Sequence, residues 1–251
     1  METTYIEHNG KQYEVKEPTI KTWKNVMIFK DLLDEEEMSV KMISEVTGLS
    51  VKEVKEADAL EIRIAGDKLW RYLNQESKQL HRTIEHNGTT YDLVDVNKIS
   101  FGQFVDIDTF MKKDDSYKIA NLNELAAYLY CEQGIKYGDS DIKKRIEEFK
   151  DLRVKYIESA VFFFVEFGKG IARAYPALFQ EQDDVVDNEN ENSFGKFWGW
   201  YAAIAFLAEN KVWQVDSVTN LSLMACLNHL SYLVDVNNEK EKLNKQQQPI
   251  S

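Results

Sequence analysis

The segment Ile6–Val15 reads Ile-Glu-His-Asn-Gly-Lys-Gln-Tyr-Glu-Val, and Ile84–Leu93 repeats it as Ile-Glu-His-Asn-Gly-Thr-Thr-Tyr-Asp-Leu, with six of ten positions identical. Asn-Gly between short strand-like runs is a strong hairpin signal, because both central residues of a type I′ turn need positive φ. With the turn at Asn9-Gly10, His8 pairs with Lys11, Glu7 with Gln12 and Ile6 with Tyr13, while Thr4 lies opposite Val15. The second copy sets Ile84 opposite Tyr91 and Arg82 opposite Leu93. Aromatic–aliphatic cross-strand pairs of this kind contribute about 0.2–1 kcal/mol each. Isolated two-stranded hairpins are marginal, so the two must pair with each other, pack on helices or accept a strand from elsewhere.

Helical patterns follow each hairpin. Thr19 can cap a helix reading Ile20, Trp23, Val26/Met27 and Leu33, and Ser100 a stretch reading Phe101, Phe104/Val105, Ile107 and Phe110/Met111, with Ile99 corresponding to Ile20. A short helix is expected at Ser39–Thr47, closed by Gly48, with the acids Asp34–Glu37 as loop and first-turn charge before it. Ser50-Val-Lys-Glu53 forms a capping box, and Asp58-Ala-Leu-Glu61 offers another. Leu122–Tyr130 makes a further amphipathic segment. The second copy then carries a long helix over Asp141–Ala174, with Ile142, Ile146 and Phe149 inward and its Glu, Lys and Arg residues solvated.

The expected fold class is mainly α with two small β-hairpins, an α+β chain of tandem hairpin-plus-helices units. The units are 1–78 and 79–180, joined around Asn74–His81. An acidic linker at 181–193, a C-terminal helical hairpin at 194–236 and a flexible tail at 237–251 complete the chain. Asp216 is expected to cap the second helix of that hairpin. The linker lacks the glycine that a calcium loop of the EF-hand kind requires.

Composition narrows the function classes. A formal charge of −12 opposes nucleic acid, whose phosphates demand a basic footprint. The longest apolar runs, Ala160–Val165 and Trp198–Ala208, fall short of the ~18 residues of a membrane span. The N-terminal Met-Glu-Thr-Thr-Tyr has no signal-peptide character, so the expected location is the cytoplasm. Cys131 and Cys226 read as free, buried thiols rather than a disulfide.

No catalytic, cofactor or metal motif is found, and the expectation is a non-enzyme without cofactor. Gly168-Lys-Gly170 lacks the spacing and hydroxyl of a phosphate loop. No Cys-x-x-Cys or His-x-x-x-His pair offers metal ligands. Glu7-His8 and Glu85-His86 are adjacent on strands, so each acid and its imidazole point to opposite faces and cannot converge on one atom. Surfaces remain. The aromatic residues Tyr5, Tyr13 and Tyr91 of the hairpins, with Phe194, Phe197, Trp198 and Trp200 at the start of the C-terminal hairpin, form the candidate partner-binding surface.

The order of these features resembles the tail-assembly chaperones and baseplate-hub assembly proteins of tailed bacteriophages. The similarity lies in Ile43-Ser-Glu-Val-Thr-Gly-Leu-Ser-Val-Lys-Glu-Val54 with Ala57-Asp-Ala-Leu60, in Ile99-Ser-Phe-Gly-Gln-Phe-Val-Asp-Ile-Asp108, and in Trp198-Gly-Trp200 and Asp216-Ser-Val218. The resemblance implies a cofactor-free protein that binds tape-measure or tube components during virion assembly in the host cytoplasm. The alternative is a structural protein retained in the virion.

Overall fold

The structure, a computed structural model, describes residues 3–75, 79–179 and 198–246. The fold is mainly α with two small antiparallel sheets, the class expected. The first copy comprises β1 (Tyr5–His8), β2 (Lys11–Glu14), α1 (Ile20–Met27), α2 (Glu35–Thr47), α3 (Val51–Glu56) and α4 (Ala59–Gln75). The second opens with β3 (Thr83–His86) and β4 (Thr89–Leu93), then α5 (Phe101–Met111), α6 (Asp115–Ala120), α7 (Leu122–Leu129) and β5 (Tyr130–Glu132). It ends with α8 (Ile142–Glu148), α9 (Lys155–Ala174) and α10 (Pro176–Phe179). The C-terminal part contributes α11 (Trp200–Leu207), α12 (Val215–Thr219) and α13 (Leu223–Gln246).

Both hairpins adopt the register their sequence dictates. Ile6 faces Tyr13 and Ile84 faces Tyr91, while the Val15 and Leu93 amides donate to the Thr4 and Arg82 carbonyls at 2.8 and 2.7 Å. Asn9, Gly10, Asn87 and Gly88 all have positive φ, as the turn requires. The hairpins do not pair with each other: β1–β2 stands as a two-stranded sheet, and β5 joins the other to give the order β3-β4-β5. Ile6 and Val15 of the first hairpin sink into a core with Val26, Ile43, Val54 and Leu69. That burial, at about 25 cal/mol per Å² of apolar surface, is what a two-stranded ribbon lacks alone.

The chain divides into two compact units. One comprises Met1–Leu93 with Thr109–Phe163, and the other Val94–Asp108 with Phe164–Ser251. Their boundaries therefore differ from the tandem repeats, and the division falls inside α5 and α9. Each unit contains the same backbone clasp. In the first, Ile20 donates to the Leu152 carbonyl at 2.8 Å and Val154 donates to that of Pro18 at 3.1 Å. In the second, Phe101 donates to the Leu221 carbonyl at 2.8 Å and Leu223 to that of Ile99 at 3.0 Å. The clasp equates Phe101, not Ile99, with Ile20. Gly102 lies beside the second clasp, where a Cβ would stand 3.0 Å from Thr219 Cβ and 3.1 Å from its carbonyl oxygen.

The clasp explains two departures from expectation. Asp141–Ala174 is not one helix, because Leu152–Val154 is drawn out to pair with Pro18–Ile20 and separates α8, with its trailing 3-10 turn at Phe149–Asp151, from α9. Asp216 likewise sits in the first turn of the five-residue α12 and does not cap the long helix, which starts only after the Ser100–Ser222 bridge. Arg145, expected in solvent, is buried: Nε donates to the Ala127 carbonyl at 3.0 Å and Nη1 to Ser140 Oγ at 2.8 Å. Its long stem and planar fork let it satisfy donors inside the fold that a lysine's point charge would not.

Other boundaries shift for local reasons. Helix α2 starts at Glu35 because Asp34 accepts from the Glu37 amide at 2.8 Å as its cap, which places three acids in the first turn. Residues 237–246 continue α13 instead of fraying, since Lys, Glu and Gln are good helix formers and Glu239–Lys242 adds an i,i+3 pair. The expected linker at 181–193 lies outside the described residues. The two cysteines are not joined in a disulfide; Cys226 is buried and Cys131 half-buried.

The first clasp carries a titratable clamp. Arg153 Nη1 lies 2.8 Å and Lys155 Nζ 3.4 Å from the Glu17 carboxylate. Burial works to raise the Glu17 pKa, but Lys155 and Arg153 outweigh it and hold the carboxyl below its usual 4.5. A group with a depressed folded pKa stabilises the fold above its unfolded pKa, and the contribution is lost as pH falls through the folded value. Glu17→Gln is therefore expected to be less stable than the parent at pH 7. The gap should close as the pH is taken down past 4.5, as read from urea midpoints at each pH.

Candidate partner-binding surface

Helix α11 and the turns on either side of it expose four large rings, Trp198, Tyr201, Phe206 and Trp213. Gly199, at φ 48 and ψ −128, starts the helix in a conformation that side-chain-bearing residues avoid. It sends the two flanking tryptophans to opposite fates. Trp200 turns inward, edge-on to Phe101 at 5.7 Å, Phe104 at 5.5 Å and Phe179 at 5.7 Å, and its Nε1 donates to Asp108 Oδ2 at 2.6 Å. Trp198 turns outward and rests on Tyr201, with ring centroids 5.5 Å apart.

At the other end of α11 the chain passes through Glu209 and Asn210, both at positive φ (52° and 57°). Two successive non-glycine residues in that region are uncommon and cost backbone strain. The Asn210 and Lys211 amides hold the turn by donating to the Ala205 and Ala208 carbonyls, both at 2.8 Å. The strained turn throws Val212 and Trp213 into solvent, 73% and 74% exposed. Between this turn and α11 lies a groove of about 380 Å³, lined by Trp198, Tyr201, Ala205, Phe206, Val212 and Val215. Its lining combines three small alanines with the half-exposed rings of Trp198, Tyr201 and Phe206. Contiguous exposed apolar surface of this kind is uncommon on a chain that is otherwise well charged.

The aromatic residues expected at the surface separate on this structure. Trp198 lines the groove, and Tyr5 is 48% exposed on β1. Trp200 is half-buried against the rings of Phe101, Phe104 and Phe179, and Tyr91 is buried against Phe149 at 4.9 Å. The reason is the hairpin register, which directs Tyr91 inward opposite Ile84. Tyr91 hydroxyl donates to Glu148 Oε2 at 3.3 Å, and burial followed by that carboxylate pushes its pKa up. Tyr13 is half-buried against the first core. Phe194 and Phe197 lie outside the described residues. Sequence reading missed Tyr201, Phe206, Val212 and Trp213. Tyr201 and Phe206 carried a usable signal, since 198–208 has apolar residues all round the helix and the structure gives it only one buried side.

The histidines do not assemble a reactive centre with one another. His8 is buried, with Nε2 2.9 Å from Asn9 Nδ2. His86 Nε2 lies 3.0 Å from the Glu148 carbonyl oxygen, and its ring meets Phe149 edge-on. Among the described residues no three His, Cys, Asp or Glu side chains converge as a metal site, and no helix is long and apolar enough to cross a membrane. No family model matches the chain, and no curated protein or solved structure matches it.

Core and surface aromatic residues separated in this way make opposite demands on stability. Trp200→Ala, which removes a half-buried ring packed against three others, is expected to cost about 1.5–3 kcal/mol. Trp213→Ala is expected to stay within about 0.5 kcal/mol of the parent. Urea denaturation of the two variants checks the assignment.

Proposed function

We propose that the chain is a non-enzymatic assembly factor that binds other proteins, in the manner of the tail and baseplate assembly chaperones of tailed bacteriophages. The observation that carries this reading is the groove of α11. Its rings are held open to solvent by a strained turn and are not folded away. Strain maintained around exposed rings is a standing cost to the chain, and binding is what returns it. The groove offers a mostly apolar surface whose lining carries one charged side chain, Lys211, which suits one face of an amphipathic helix.

The charge of the chain selects among such helices. At −12 it repels acidic partners and draws a segment whose polar face carries Lys and Arg. The resemblance in Ile43–Val54 and Ile99–Asp108 supplies the class of partner, a tape-measure or tube component engaged before it is built into a tail.

The test is co-expression with tail-tube and tape-measure proteins of tailed bacteriophages, with a photocrosslinking residue at position 213. Capture of one of them is expected. Phe206→Ser combined with Trp213→Ser should weaken that complex at least about tenfold, the loss typical of truncated aromatic anchors. Failure to capture a tail component, or a complex indifferent to both substitutions, contradicts the proposal. Mass spectrometry of purified particles should find the chain absent or in trace, and stoichiometric amounts would make it a virion component instead.

A further inference from the structure

Strands β2 and β4 are the same strand of the duplicated hairpin, yet only β4 has a neighbour on its outer side. There β5 sets Tyr130 opposite Leu93, Cys131 opposite Asp92 and Glu132 opposite Tyr91. Successive residues of an antiparallel strand turn their N–H and C=O to alternate sides. Leu93 bonds inward to Arg82, so Thr90 and Asp92 face outward, and the Gln133 amide reaches the Thr90 carbonyl at 3.0 Å. Val15 bonds inward to Thr4 in the same way, which leaves Gln12 and Glu14 as the outward-facing pair of β2.

Among the described residues no strand lies beyond them, and the sheet ends at β2. Exposure follows the difference. Lys11, Gln12 and Glu14 are exposed where Thr89, Thr90 and Asp92 are half-buried. The sequence explains why the first copy does not fill its own edge. After α7 the chain runs directly into β5, but after α2 it turns at Gly48, with φ 79, and Ser50 caps it into α3.

We propose that the outer edge of β2 is an acceptor for an antiparallel strand from a partner protein, bonded to the backbone of Gln12 and Glu14 as β5 is bonded to that of Thr90 and Asp92. The filled edge of the second copy specifies the occupant: a short extended segment with a large apolar residue opposite Val15, the place Tyr130 takes opposite Leu93. A second copy of this chain is the poorer fit. Each molecule carries −12, and a four-residue strand buries far less than the ~1,000 Å² a stable interface needs. The same charge favours a partner strand flanked by basic residues. The inference rests on the protein-binding reading but uses no residue of the groove, so either site can fail without the other.

The test uses the full chain and a peptide probe, residues 122–133 of this sequence with Cys131→Ser and two added C-terminal lysines. In the free protein the Glu14 amide should exchange with deuterium at least about tenfold faster than that of Asp92, and saturating peptide should slow it by about tenfold. Glu14→Pro should abolish the protection that the peptide gives the Gln12 amide, since its ring replaces an N–H that points away from β1 and is tolerated at an edge; should that variant not fold, Gln12→Pro replaces it, read at the Glu14 amide. Equal protection of Glu14 and Asp92 in the free protein overturns the proposal, as does peptide that leaves Glu14 unprotected or binds the proline variant equally well. A dimer that Glu14→Pro dissociates would place a second copy on the edge and overturn the choice of occupant.

Discussion

Two consecutive residues at positive φ, Asn9-Gly10 and again Asn87-Gly88, fix the register on which the first unit is built. A one-residue slip in either hairpin would turn Ile6, Tyr13 and Val15, or Ile84, Tyr91 and Leu93, from the core to solvent. With register held, Val15 and Leu93 are delivered to the protein interior, and the chain leaves each hairpin toward the next helix start. There Pro18–Ile20 and Ile99–Phe101 each take up an extended partner, so hairpin and clasp recur as a pair along the sequence. The clasps then dictate where α9 and α13 begin.

Duplication followed by divergence explains how one scaffold comes to offer different surfaces. The second copy closes its sheet with β5 and buries Tyr130, whose hydroxyl donates to the His81 carbonyl at 2.7 Å. Burial keeps that phenol far above its ordinary pKa, so it remains a donor. The first copy continues into α3 instead, and among the described residues no strand lies beyond β2. In the C-terminal part the aromatic residues divide between a core around Phe104 and Trp200 and an exposed wall from Trp198 to Trp213. Both open features would offer backbone or rings to the partners proposed above.

Much of this was legible in the residues. The hairpins, their register and the caps at Thr19 and Ser50 follow from local rules, because each depends on residues within a few positions of one another. What stayed hidden depends on distant chain. Nothing local in Leu152-Arg-Val154 marks it as extended; only its pairing with Pro18–Ile20 breaks the helix there. Arg145 shares its neighbours' polar pattern, and its burial is decided by Ala127 and Ser140. Trp198 and Trp200 look alike in sequence, and one glycine dihedral assigns one to solvent and the other to the core. Tyr91 is a different case: its pairing with Ile84 already implies an inward face, and the register overrides the surface role that its aromatic character suggests.

The dependence of the fold on its turns is open to one direct measurement, the unfolding free energy of Gly10→Ala and Gly88→Ala. An added Cβ at either position meets no atom within 4 Å, so any loss reports the left-handed backbone and nothing else. Each substitution is predicted to cost about 1–2 kcal/mol, the penalty for placing an L side chain at that φ. If both variants unfold at the parent's urea concentration, the turns do not hold the register, and the twin-hairpin scaffold is not what organises this chain.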